Sequence, residues 1–118
     1  MMPFVPMQYH AAAEARLLDV MVARTLLARM RGLLARPALL AGQGMLILPC
    51  NMIHTLGMRY PIDVVFLRRD GMVLRVASAV APRRMRAHLG AHCVLELAAG
   101  EAARCAIVPG LTLPIGAL

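Results

Sequence analysis

The sequence has no lysine, no tryptophan and few aromatic residues, and each shortage narrows the functions that it can support. All thirteen basic residues are arginines, and they give a formal net charge of +7 that would suit an anionic partner. With only two Phe and two Tyr, however, the chain has no aromatic platform on which single-stranded bases could stack. Only Arg83, Arg84 and Arg86 cluster. The sequence therefore disfavours nucleic-acid binding.

Closely spaced cysteines and a clean apolar span are also missing. Cys50, Cys93 and Cys105 show no CxxC spacing, which indicates reduced thiols rather than a disulfide framework. The uncharged run at residues 37–58 is long enough to cross a bilayer, but its prolines, glycines and polar residues predict core and loops, with no membrane span. Since the amino terminus does not resemble a signal peptide, we expect a cytoplasmic protein.

The chain length of 118 residues predicts a single domain. Pro3 and Pro6 predict a flexible, irregular segment at residues 1–15, followed by one domain at residues 16–118. Residues 17–23 are typical of a strand. Thr25 is suited to cap the amino terminus of a helix at about residues 25–35, which carries a leucine-rich apolar stripe and ends before Pro37.

Short strands dominate the rest of the chain. We predict strands at residues 45–48, 64–67, 72–80, 94–97 and 107–113, a surface loop at 81–92 and a helical turn at 100–104. The continuous apolar run at 64–67 indicates a central strand, and Asp70-Gly71 predicts a tight hairpin after it. The predicted fold class is α+β: a compact, mostly antiparallel curved sheet or partial barrel with one main helix.

Polar chemistry concentrates at residues 50–67, just before the central strand. Cys50, His54 and Asp63 occur in the order required of a nucleophile, a base and an orienting carboxylate, so one hypothesis is a hydrolase-type enzyme. If residues 50–54 were extended, Cys50 and His54 would share a face but stand about 13 Å apart. If the segment turned, the two side chains could meet.

Two other interpretations compete with the enzyme. A metal ion could recruit Cys50, His54 and Asp63, or else His88 and His92, but close ligand pairs are missing and we predict no metal site. A purely structural interpretation has Asp63 accepting hydrogen bonds from free backbone N–H groups or pairing with Arg31. That interpretation leaves the chain as a structural or protein-interaction module.

Five short motifs in order resemble the domain of unknown function 192 family. They are MRGLLAR at 30–36, GMLIL at 44–48, IHTLGMRYPIDVVFL at 53–67, the Asp-Gly pair at 70–71 and VLELAAG at 94–100. The resemblance implies a small β-rich domain with one helix, no cofactor and no assigned activity. It places Arg31, Gly32, residues 54–58, Asp63 and Glu96 at the signature positions.

Taken together, the residues and the resemblance favour a small-ligand-binding domain with a polar pocket beside the 53–67 motif. The ligand would be anionic or sugar-like, because an arginine can donate two hydrogen bonds to one anionic group. The candidate ligand-binding residues are Arg31, His54, Thr55, Met58, Asp63 and Glu96, and Cys50 is the nucleophile of the hydrolase alternative.

Overall fold

The computed structural model describes residues 3–25 and 38–118, and these residues form mainly β-strands. In that part of the chain the strands are β1 (Phe4–Ala11), β2 (Glu14–Ala23), β3 (Gln43–Ile47), β4 (Met52–His54), β5 (Ile62–Leu67), β6 (Val73–Val80), β7 (Met85–Ala87) and β8 (Cys93–Ala98). A short helix, α1 (Glu101–Arg104), and a 3-10 turn (Ile115–Ala117) follow. The predicted main helix lies, apart from Thr25, outside the described residues.

The strands form one six-stranded sheet and one two-stranded ribbon. The sheet order is β1-β2-β3-β8-β5-β6, and β4 pairs with β7 to form the ribbon. The pair β2–β3 is parallel and the other pairs are antiparallel, so the sheet is mixed. The order runs from β1 to β6 without closing. A β-dominated fold is therefore confirmed, whereas a partial barrel is not.

Strand β5 is buried along its whole length because both faces of the sheet are covered. Val65 and Leu67 pack in one apolar cluster with Ala102 of α1. Val64 and Phe66 pack in the other, which lies on the opposite face. We call this second surface the Glu96 face, because Glu96 pairs directly with Val64 across the sheet. The predicted central strand is thus confirmed.

Pro3 and Pro6 led us to predict an irregular amino-terminal segment, but the described part of this segment is regular. It forms β1, which pairs with β2 over the full length from Phe4↔Met21 to Ala11↔Glu14. Pro6 is tolerated because β1 is an edge strand, where one side of the backbone needs no partner. The connection is a two-residue turn at Ala12 and Ala13, which adopt φ values of 51° and 62°.

Two further local predictions are wrong and two are confirmed. Residues 81–92 are not only loop, since β7 pairs with β4 within them. Residues 107–113 do not form a strand; in this segment the structure has turns and one isolated bridge, Met72↔Thr112. The hairpin at Asp70-Gly71 is confirmed, and α1 matches the helical turn predicted at 100–104.

The carboxyl-terminal turns close over the β5–β6 hairpin instead of extending the sheet. Leu113 N donates to Gly71 O at 2.9 Å, and Val73 N donates to Leu111 O at 2.7 Å. Within residues 3–25 and 38–118, no helix has the length and apolar character needed to cross a membrane.

Candidate functional site

Thr55 lies at the end of β4 and is fully buried. Its hydroxyl donates to Ala81 O at 2.7 Å and accepts from Arg84 N at 2.8 Å. Its backbone N–H also donates to Arg84 O. The hydroxyl therefore fastens the β4–β7 ribbon to the end of β6.

Asp63 is also buried, with 1% of its surface exposed, and it is fully occupied by backbone donors. Oδ1 accepts from Ala79 N at 2.8 Å, and Oδ2 accepts from Gly100 N at 3.1 Å and Ala102 N at 2.9 Å. A buried carboxylate needs such donors to offset its lost hydration. The carboxylate thus joins the end of β6 to the first turn of α1.

His54 lies on the outer side of the ribbon and is exposed. Its neighbour Ile53 is buried and packs on the Glu96 face, and because side chains alternate along a strand, His54 points away from that face. The Cys50 thiol donates to Met52 O at 3.2 Å. Among the described residues, Cys50, His54 and Asp63 share no hydrogen bond, so they do not form the relay of a nucleophile, a base and a carboxylate.

Glu96 is the residue of the predicted set that stands out chemically. It lies in the middle of β8, directly opposite Met45 of β3 and Val64 of β5. The same cross-strand row continues to Met21 on one side and Ala77 on the other, so its lateral neighbours are apolar. Only 6% of Glu96 is exposed. Nothing in the described part of the chain donates a hydrogen bond to its carboxyl group.

Burial alone raises the pKa of Glu96 to about 7, because the apolar surroundings disfavour the charged form. Tyr60 interacts electrostatically with the Glu96 carboxylate. Burial and, second, this carboxylate raise the pKa of the Tyr60 phenol. Tyr60 and Met58 are half-buried and pack against the apolar cluster of the Glu96 face. A carboxyl group with a raised pKa therefore lies on the same face of the sheet as two half-buried side chains, Met58 and Tyr60.

The 53–67 motif contributes to this arrangement through one predicted residue, Met58, and two residues that were not predicted, Ile53 and Tyr60. Ile53, Met58 and Tyr60 of the motif lie at the Glu96 face, whereas Thr55 and Asp63 are committed to backbone hydrogen bonds elsewhere. Tyr60 was not among the predicted site residues. The sequence did offer a reason to include Tyr60, because it is one of only two tyrosines and lies within the motif. Arg31 lies outside the described residues.

Cys50 borders a separate small cleft. Its volume is about 230 Å³, and it is lined by Pro49, Cys50, Asn51, Ala91 and His92. Cys93, which follows His92 in the chain, is fully buried. Burial and, second, Cys50 raise the pKa of the Cys93 thiol to about 11. In the described ranges, no group of three or more His, Cys, Asp or Glu residues could hold a metal ion.

Comparison with known proteins identifies one matching family and similar solved structures. The family model DUF192, described as an uncharacterised ACR, matches residues 8–115. A protein of unknown function from Novosphingobium aromaticivorans is similar, with a TM-score of 0.81, 26% identity and coverage of 93% of this chain and 84% of that chain. A putative transcription regulator from Sinorhizobium meliloti is also similar, with a TM-score of 0.81, 23% identity and coverage of 96% and 95%. No curated protein matches.

Proposed function

The chain belongs to the DUF192 family, and we propose that it binds a small ligand on the Glu96 face, beside the 53–67 motif. The observation that carries this proposal is Glu96 itself, a carboxyl group that is buried among apolar side chains and has no donor in the described part of the chain. A bound ligand can supply the missing donor.

The chemistry of the Glu96 carboxyl group defines the ligand class. A carboxyl group accepts hydrogen bonds when ionised and can both donate and accept when protonated. It therefore suits an amine or the hydroxyl groups of a sugar-like molecule, and it repels an anion placed directly against it. Met45 and Val64 flank Glu96 across the sheet and make its immediate surroundings apolar. The ligand should then combine an apolar surface with at least one N–H or O–H donor.

This proposal moves the centre of the site from Asp63 to Glu96. Thr55 and Asp63 support the surrounding backbone, and Met58 and Tyr60 form the rim. A contribution from Arg31, which would bind an anionic part of the same ligand, stays a prediction.

Methionine methyl NMR offers a direct test. Met45 lies beside Glu96 and Met58 lies at the rim, whereas Met7 belongs to the apolar cluster on the opposite side of the sheet and serves as an internal control. We expect amines and polyols from a fragment set to shift the signals of Met45 and Met58 but not that of Met7.

The control variant for this experiment is Glu14→Ala, because Glu14 is an exposed glutamate on β2. The shifts should disappear in Glu96→Ala and persist in Glu14→Ala. If no fragment shifts these signals in the folded protein, or if only carboxylates do, the proposed function is wrong. Shifts confined to residues on the outer side of β4 would instead point to the polar site first predicted around His54.

A further inference from the structure

The outer side of the β4–β7 ribbon carries apolar side chains that nothing covers in the described part of the chain. His54 pairs directly with Met85 across the ribbon. Met85 is 60% exposed, and Leu56, in the turn after β4, is 56% exposed. We call His54, Leu56, Arg83, Arg84 and Met85 the ribbon patch. Exposed apolar side chains that cluster in this way mark an interaction surface more often than scattered ones do.

The backbones of two exposed arginines are held at the same end of the ribbon. Arg83 N donates to Thr55 O at 3.2 Å, and Thr55 N donates to Arg84 O at 2.9 Å, so the backbone of both arginines is tied to the residue preceding Leu56. Arg83 and Arg84 are both exposed. Neither arginine takes part in any ion pair found within residues 3–25 and 38–118. The ribbon patch therefore combines an apolar centre with an unneutralised basic edge.

The segments of sequence that form the ribbon contain no acidic residue. No acidic residue occurs between Asp19 and Asp63 or between Asp70 and Glu96, and these two intervals contain the whole ribbon. Of the acidic residues nearest to the ribbon in sequence, Asp63 is bonded to backbone N–H groups, Asp70 pairs with Arg68, and Glu96 is buried on the other face. The patch is thus complementary to a partner that is both negatively charged and able to accept apolar side chains.

We propose that the ribbon patch docks this protein onto an anionic lipid surface. Leu56 and Met85 enter the interfacial layer, while Arg83 and Arg84 donate hydrogen bonds to lipid phosphates, which a guanidinium group can contact bidentately. Both apolar side chains are more than half exposed, so they project from the surface instead of lining a groove. A deformable lipid layer can surround projecting side chains, whereas an acidic peptide would need a groove to bury its own.

Vesicle co-sedimentation tests the proposal on the intact protein. We expect binding to vesicles of phosphatidylcholine mixed with phosphatidylglycerol, little binding to phosphatidylcholine alone, and weaker binding as salt is raised. Arg83→Gln combined with Arg84→Gln should reduce binding about tenfold or more. Leu56→Ser combined with Met85→Ser should reduce it by a similar factor, although the net charge is unchanged.

Matched control variants separate a localised surface from general attraction to a basic protein. Arg24→Gln combined with Arg69→Gln removes the same number of charges outside the patch. Leu17→Ser combined with Leu40→Ser removes two apolar side chains that are 55% and 67% exposed. Both controls should bind like the parent protein. Circular dichroism spectra should show that all four variants are folded.

Three results would overturn the proposal. The first is no binding to the anionic vesicles by the folded parent protein. The second is an equal loss of binding in the patch variants and in their controls, which would reduce the effect to net charge. The third is patch-dependent binding to polyglutamate without binding to vesicles, which would assign the surface to an acidic polypeptide. None of these results bears on ligand binding at Glu96, which lies on the other side of the ribbon.

Discussion

Asp63 and Ala102 are joined by a 2.9 Å hydrogen bond from the backbone N–H of α1 to a carboxylate in the central strand. The two residues are far apart in the sequence, yet this bond and its companions to Ala79 and Gly100 determine where α1 begins against the sheet. A carboxylate that faces the first turn of a helix is also favoured by the partial positive charge of the unpaired N–H groups there.

Replacing Asp63 with Ala should therefore destabilise the fold. Three backbone N–H groups would lose their acceptor, and we expect the free energy of unfolding to fall by about 2–3 kcal/mol. Urea denaturation measures this change. Asp19→Ala is the matched control: Asp19 is exposed, and its backbone N–H bond to Gly42 O remains, so the change should stay within about 0.5 kcal/mol. Equal stability of the two variants would contradict this role for Asp63.

Gly71 and Gly110 provide a second, paired test. Both have positive φ, +93° and +95°, so an alanine is strained at either position. At Gly71 an added Cβ would also lie 2.0 Å from Leu113 O, whereas at Gly110 it would meet nothing within 4 Å. We expect Gly110→Ala to cost about 1 kcal/mol and Gly71→Ala to cost about 3 kcal/mol or more, measured by thermal unfolding. Similar losses of stability in the two variants would show that the carboxyl-terminal turn does not pack closely against the hairpin at Gly71.

The turn between β1 and β2 should be open to improvement. Ala12 and Ala13 both have positive φ, which suits Asn and Gly far better than alanine in a two-residue hairpin turn. Ala12→Asn combined with Ala13→Gly should raise the free energy of unfolding by about 1–2 kcal/mol. As a control, Ala15→Gly within β2 should lower it by about 0.5–1 kcal/mol. A loss of stability in the double variant would contradict the turn geometry.

The same turn shows why part of the fold escaped prediction. Asn-Gly or Asp-Gly announces a hairpin, and Asp70-Gly71 did so for β5 and β6, but Ala12-Ala13 carries no such signal. Strand β5 was predicted because its apolar run is continuous. Strand β7 was missed because it has only three residues within a polar stretch, and because it forms only through pairing with β4, some thirty residues earlier.

The candidate site was predictable in its residue types but not in its geometry. The burial and hydrogen bonding of Asp63 were expected from its place before an apolar run, and they are confirmed. The polar residues of the motif looked equivalent in the sequence. Long-range pairing separates them: the Thr55 hydroxyl bonds to Arg84 and the Asp63 carboxylate bonds to Ala102. Among the buried carboxyl groups of the described residues, that of Glu96, outside the motif, accepts no hydrogen bond.

Glu96 should give the protein a characteristic dependence of stability on pH. Its pKa in the folded protein is about 7, against an ordinary value of 4.5, so between these values the folded state binds more protons than the unfolded state. Stability is then greatest near or below the lower value and falls as the pH rises toward 7. Above the folded pKa the carboxylate is charged in both states, and the cost of burying it, on the order of 2–3 kcal/mol, is fully felt.

Glu96→Gln should remove this dependence, because an amide of the same shape does not ionise in this range. Urea denaturation between pH 5 and 8 should show the variant gaining stability relative to the parent as the pH rises, approaching the roughly 2–3 kcal/mol above. Taking the difference cancels the titration of the histidines, which both proteins share. Glu14→Gln, at an exposed position, should follow the parent curve within about 0.5 kcal/mol. Parallel curves for Glu96→Gln and the parent would mean that Glu96 is hydrated or paired, and the argument for a ligand that supplies its missing donor would then fail.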